Sequence, residues 1–248
     1  MQARLESIVR YPVKGLAGQA LERAQLTDGK ALPHDRRFAL TYDSGAPGDK
    51  LHHASLAGLE KEERLASLTL DYDEDTTAVT LYRDGKQVAR GEGSRPIGRP
   101  LLTQFFSAYL KDSPRGTARF VENAKGHFTY WDEPFLHLIN LATVKDLERV
   151  ARQPIDPRRF RANLWIGAPP AWEERHWVGK RLRLGEARLE AVALTERCAA
   201  TTVNPDNAKH DLNVPRILRA GFGHLELGLY LRVVRDGTIA VGDSLEII

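Results

Sequence analysis

The feature that most constrains the fold is a short alternation of apolar and polar residues that recurs along the chain, each run cut by a turn signal. Phe38, Leu40 and Tyr42 share one face of segment 37–42 before Asp43-Ser44-Gly45 breaks it. Leu229, Leu231 and Val233 alternate up to Asp236-Gly237, and Ile239 and Val241 alternate beyond it. Segments 65–71 and 78–82 read as a strand pair around Asp73-Glu74-Asp75-Thr76, and Asp84-Gly85 is a further turn. Segments 181–184 and 187–194 flank Gly185-Glu186 as a hairpin. Successive side chains of a strand point to opposite faces, so many short strands must close into a barrel or stack as a sandwich.

Helical spacing is scarce. Leu102, Phe105, Phe106, Tyr109 and Leu110 form one stripe over residues 101–110, ended by Ser113-Pro114-Arg115-Gly116. Thr143 with Asp146 three residues on resembles a capping signature, which opens a second helix through Leu147, Val150 and Ala151. The expected class is mainly β with a few short helices. The weakest point in the chain, 113–116, suggests a division into residues 1–112 and 113–248.

Composition narrows the function classes. A formal charge of +3 over 248 residues, with no run of Lys/Arg and no basic–aromatic stripe, gives nucleic acid binding little support. No apolar run approaches the roughly 18–20 residues of a membrane span, and the first residues lack an apolar signal core. A cytoplasmic protein with no membrane partner is the expectation. Glycine-rich phosphate loops, His-Glu-x-x-His and Gly-x-Ser-x-Gly are all missing. His52 and His53 are adjacent, and adjacent residues of a strand face opposite ways, which argues against a shared metal.

The only cysteine, Cys198, lies in Thr195-Glu196-Arg197-Cys198-Ala199-Ala200-Thr201-Thr202-Val203-Asn204-Pro205-Asp206. One thiol makes neither an intrachain disulfide nor an iron–sulfur cluster. Arg197 beside it favours the thiolate, and the polar residues that follow suit a turn. A nucleophile, a single soft metal ligand and an inert buried thiol all remain open on these residues.

Three more segments gain meaning beside it. Tyr11-Pro12-Val13-Lys14-Gly15-Leu16 leaves a strand with a lysine in a turn. Pro33-His34-Asp35-Arg36-Arg37-Phe38 sets an arginine at the mouth of another. Arg159-Phe160-Arg161-Ala162-Asn163-Leu164 places Arg161 and Asn163 two apart, as if on one face. With Pro134 to Asn140, Glu173-Glu174 before Trp177, and Gly237 to Asp243, these segments make the chain resemble the MOSC family, the molybdenum cofactor sulfurase C-terminal domains. The N-terminal part resembles the β-barrel domain that accompanies it. The implied fold is a β-barrel MOSC domain packed against an N-terminal β-rich domain, with a cofactor cleft between them.

The resemblance, to a family that includes the mitochondrial amidoxime-reducing component, also implies a chemistry. Molybdenum would be held by a pyranopterin dithiolene and by Cys198. Lys14, Gly15, Arg36, Arg161, Asn163, Thr201, Thr202 and Asp206 fall on the family's cofactor-contacting positions. A thiolate suits such a metal, and lysine and arginine suit a phosphate. The implied activity is reduction of N-hydroxylated or N-oxygenated small molecules. Its electrons would come from a separate donor protein of ferredoxin, flavodoxin or cytochrome type. The alternative is a sulfur carrier or cofactor-handling protein with a Cys198 persulfide. The family is also associated with pyridoxal phosphate binding. Read from the residues alone, Lys14 fits a solvated turn lysine, Arg36 fits a surface ion pair, and Asp132 fits a turn acid as well as a site acid. The chain departs from the family pattern at Leu16, at Asn204-Pro205 and at Lys50-Leu51-His52-His53. That last segment lies near the substrate pocket in relatives, which leaves substrate choice open.

Overall fold

The computed structural model describes residues 3–42 and 53–248. Lys50, Leu51 and His52 therefore lie outside the described residues.

The first part of the chain holds β1 (Ala3–Arg10), β2 (Gln19–Leu21), β3 (Arg23–Leu26), β4 (Phe38–Thr41), β5 (Thr69–Asp73), β6 (Ala78–Arg83) and β7 (Lys86–Glu92). Helix α1 (Gly98–Tyr109) and β8 (Arg119–Glu122) follow. Then come β9 (Leu136–Asn140), α2 (Leu141–Ala151), β10 (Leu164–Gly167), β11 (Arg181–Leu184) and β12 (Ala187–Glu196). Helix α3 (Val214–Phe222), β13 (Glu226–Arg235), β14 (Gly237–Ala240) and β15 (Ser244–Ile247) complete the order.

The expected barrel forms. Strands run in the order β10-β9-β13-β12-β11-β15-β1, and β1 pairs back onto β10 to close the ring. Only β9 and β10 are parallel, joined by a crossover through α2; the other ring pairs are antiparallel. Leu5, Leu138, Ile166, Leu189, Leu231 and Leu245 are among the side chains that fill its interior. Burying a leucine of this kind contributes roughly 1.5–3 kcal/mol. Closure leaves the ring no free strand edge.

The smaller unit is a three-stranded sheet β5-β6-β7 and the pair β4-β8 packed on α1. Phe38 and Phe106 stack on Phe120 at its centre. All four residues of β4 are buried, so both of its faces are covered. The chain does not separate in space at 112/113. β1 belongs to the barrel built from the later strands, and β8, beyond the expected boundary, pairs with β4.

Helix α2 corrects the expected cap. Asn140, not Thr143, is the N-cap, its side chain accepting from the Ala142 amide at 3.0 Å. Thr143 is buried one turn in, and its hydroxyl donates to Glu174 at 2.7 Å. Asn140 Nδ2 donates to the other Glu174 oxygen at 3.0 Å, and the Thr143 hydroxyl accepts from the Trp172 amide at 2.8 Å. Both oxygens of the Glu174 carboxylate are engaged, while burial holds its pKa above the usual carboxylate range. No helix among the described residues is long and apolar enough to cross a membrane.

Candidate functional site

The site forms where the chain leaves β1 and runs beside β4. Lys14 N donates to Phe38 O at 2.8 Å, Phe38 N to Pro12 O at 3.0 Å, and Arg36 N to Tyr11 O at 2.6 Å. Gly15 turns this segment at φ +86°, a conformation that excludes most side chains, and a Cβ there would stand 3.0 Å from Leu65 Cδ1. The glycine is thus explained by the turn and by packing.

Arginines gather around Tyr11. The guanidinium carbons of Arg36 and Arg161 each lie 4.4 Å from the centre of its ring. Arg36 Nη2 donates to Arg161 O at 2.8 Å, its Nη1 pairs with buried Asp35, and Arg161 Nη1 donates to Leu16 O at 2.6 Å. Arg161 sits at φ +53° as the cap of a 3-10 turn, not in a strand. The expected common face with Asn163 therefore does not form, because period-two geometry does not apply. Asn163 Nδ2 donates to Val9 O and to Asp35, each at 3.1 Å, and its Oδ1 accepts from the His137 amide at 3.1 Å. Its amide braces β1, β9 and Asp35 instead of facing an open site.

Cys198 is exposed and leads a 3-10 turn, Ala199–Thr202. Thr201 donates its hydroxyl to Cys198 O at 2.8 Å, and Thr202 donates its own to Ala199 O at 2.7 Å. Both threonines shape the turn. Asp206 lies further out and pairs with Arg158 at 2.7 Å on the surface. Buried Arg159 ties the turn down, donating to Thr202 O at 3.0 Å and pairing with Asp211.

The cations share one field. Burial pushes the Lys14 pKa down to about 8, with Arg36 and Arg161 lowering it and Glu60 and Cys198 raising it. Burial and Arg36 push Arg161 down to about 10, and burial likewise lowers Arg197 to about 10. Arg161 Nη2 and Arg197 Nε are buried and have no hydrogen-bond partner among the described residues, as is also true of Arg159 Nε, Trp177 Nε1 and Thr195 Oγ1. Buried donors are normally paired, so such orphans mark a site missing something. The structure thus brings Lys14, Arg36 and Arg161 together with Cys198, while Asn163, Thr201, Thr202 and Asp206 are engaged within the fold.

Residues 123–135 roof this cluster. Lys14 Nζ donates to Phe128 O at 3.0 Å, and Phe128 N to Arg36 O at 2.8 Å. His127 lies within electrostatic reach of Asp35, Arg36, Asp132 and Lys14, and burial lowers its pKa. Trp131, half exposed, meets Phe135 and Tyr230 edge to face. Trp165 and Trp177 are buried and belong to the cores. The contributions of Tyr11 and Asp35 carried no signal beyond membership in short motifs, and His127 lay in none, because their contacts cross long stretches of chain.

Two family models match the chain. The MOSC domain matches residues 125–246, and the MOSC N-terminal beta barrel domain matches residues 2–111. The chain belongs to the MOSC family. This MOSC protein is 26% identical to mitochondrial amidoxime-reducing component 1 of Mus musculus and 24% identical to that of Homo sapiens. Those matches cover 94% of the chain and 78% and 79% of the relatives. A match at 26% identity to mitochondrial amidoxime reducing component 2 of Rattus norvegicus spans 57% of the MOSC protein and half of the rat protein. The molybdenum cofactor sulfurase of rice, Oryza sativa subsp. japonica, is 25% identical over 83% of the chain, which spans 29% of that protein. Among solved structures, the YUAD protein from Bacillus subtilis aligns over the whole chain at a TM-score of 0.48 and 13% identity, covering 96% of that structure.

Proposed function

We propose that this MOSC protein is a molybdenum-dependent reductase that binds a pyranopterin cofactor between barrel and smaller unit and acts on N-hydroxylated or N-oxygenated small molecules. The observation that carries the reading is the convergence of half-buried cations on an exposed thiol. Lys14, Arg36, Arg161 and Arg197 crowd a space where Asp35 is the buried carboxylate, and two of their N–H groups have no partner. An anionic group with several acceptors fits such a set, because charge-assisted bonds would complete the orphaned donors and offset the repulsion.

The residues divide the work. Cys198 Sγ would be the single protein ligand to the metal, since no three of His, Cys, Asp and Glu gather as a metal cage among the described residues. Arg161 and Lys14 would grip the phosphate, the first as a planar fork and the second as a point charge. Arg36, already bonded to Asp35 and Arg161 O, would contribute mainly charge. Arg159 and Thr201 hold the Cys198 turn in place. When bound, the cofactor would supply the two-electron chemistry that removes an oxygen atom from the substrate. Electrons would come from a separate ferredoxin, flavodoxin or cytochrome-type protein, and the setting would be the cytoplasm.

Similarity to a cofactor sulfurase and the exposure of Cys198 support a second reading, a sulfur-handling protein with a Cys198 persulfide. Metal and pterin analysis of protein made in a cofactor-competent host separates the two. Stoichiometric molybdenum and pterin support the reductase. Sulfane sulfur on Cys198 without metal supports the carrier and overturns the reductase.

A further inference from the structure

We infer that His137 is a positioning residue that holds the Arg197 guanidinium beside the Cys198 thiol. His137 occupies the outer face of β9, where its neighbour on that face, Ile139, packs into the apolar layer under α2 and α3. A buried imidazole here interrupts an apolar stripe, so it needs specific partners.

It has them. Arg197 Nη1 lies 3.1 Å from His137 Nε2. Arginine can only donate, so Nε2 must accept, and the ring proton resides on Nδ1. The backbone carbonyls of Arg161 and Leu227 also face the ring, and the one N–H of the neutral imidazole can donate to only one of them. Arg161 O in turn accepts from Arg36 at 2.8 Å. One neutral ring therefore ties the arginine of the cysteine turn to the arginines around Tyr11. Burial and the facing Arg197 both hold His137 well below its ordinary pKa, which preserves the acceptor. The rest of the Arg197 fork is fixed by Nη2 donating to Phe160 O at 2.8 Å.

The fold leaves room for this ring. Gly228 stands on β13 at φ +94°, and a Cβ there would meet His137 Nε2 at 2.7 Å. Tyr230, the cross-strand partner of His137, covers it at 5.8 Å between ring centres. Leucine in place of His137 would leave Arg197 Nη1 only its long 3.5 Å contact to Leu227 O, on a guanidinium whose Nε already has no partner among the described residues. The guanidinium, held by Phe160 O and that long contact alone, would lose its fixed position beside the thiol.

The test uses cofactor-free protein, so its outcome is independent of whether the chain is a molybdenum reductase; it assumes only that Cys198 works as a thiolate. The readout is the ratio of Cys198 alkylation rates with iodoacetate and iodoacetamide. Both reagents attack the same thiolate and are alike in size, but only the first is an anion, so the ratio senses the local positive field. Arg197→Ala is expected to lower the ratio about fivefold, the effect of one charge removed from a partly screened neighbourhood. His137→Leu should lower it equally. The double variant should match either single one, because both remove the same charge. His137→Gln, which retains an acceptor, should restore most of the ratio. Thermal melts check folding, and if His137→Leu does not fold, His137→Asn, whose shorter amide stops short of Arg197, is read the same way. A wild-type ratio in the folded His137 variant, an unchanged ratio in Arg197→Ala, or effects that multiply in the double variant would overturn the inference.

Discussion

Two buried polar clusters of this protein can be set side by side. Around Glu174, which is 1% exposed, the donors of Thr143 and Asn140 meet the two carboxylate oxygens and complete the set. Around Tyr11, four cations face one buried carboxylate, and Arg161 Nη2 and Arg197 Nε are left over. The first cluster locks α2 to the loop that follows β10. The second, under the proposed reading, is completed by an anion from outside. Unmatched donors also occur at Trp177 Nε1 and Thr195 Oγ1, so what sets the second cluster apart is that its unmatched donors belong to cations crowded together.

The sharpest way to break this comparison is to remove the thiol. Cys198→Ser should fold with a melting temperature close to wild type, because the residue is exposed, and under the proposed reading should not hold molybdenum. Retention of stoichiometric metal would show that the thiolate is not the ligand.

Next in size is Arg161→Met. Replacing a buried, incompletely bonded cation by an apolar chain should leave cofactor-free stability unchanged or raised. Pterin affinity by equilibrium dialysis should fall about tenfold to a hundredfold. Arg158→Ala is the control, since Arg158 pairs on the surface with Asp156 and Asp206. Arg37 is a poor control, because it bridges Glu122 and Ser94 and its loss would disturb the smaller unit.

Glu174→Ala should behave in the opposite way. It strands two buried donors and should cost roughly 2–4 kcal/mol in denaturant unfolding, with no selective effect on cofactor affinity. A loss below the measurement error would mean the complete cluster is not structural.

The smallest effect is a pH slope. Lys14 titrates near 8 in the fold against 10.5 as its ordinary value. Between those limits the unfolded chain binds more protons, so cofactor-free stability should rise with pH from about 8 to 10.5. The contribution is fully present above 10.5 and is lost as pH falls through about 8. Lys14→Met should flatten this slope, and an unchanged slope would deny Lys14 its burial.

Much of the architecture was legible because it is local. Gly185-Glu186 turns β11 into β12, and Asp84-Gly85 turns β6 into β7, as the sequence suggests. The cap of α2 was misread because Thr143 fits the local pattern while its hydroxyl serves Glu174, 31 residues away. The site was legible as a set of motifs but not as contacts. Asn163 reads as a ligand for a pterin edge, yet its amide bonds Val9 and Asp35 across 154 and 128 residues. His137 sits inside a quoted motif and carries no local mark of its tie to Arg197, 60 residues on.

The closure of the barrel by β1 also sets an order of assembly. Six of the ring strands lie at or beyond residue 136, yet the seventh is the first strand of the chain. On a ribosome, β1 emerges long before β10 and β15 exist to receive it. The hairpin-rich β5-β6-β7 sheet needs only neighbours in sequence, and low contact order favours early folding. Pulse-labelling hydrogen exchange should accordingly show β6 amides protected before those of β1, with the barrel's last seam forming between β1 and the strands made after it.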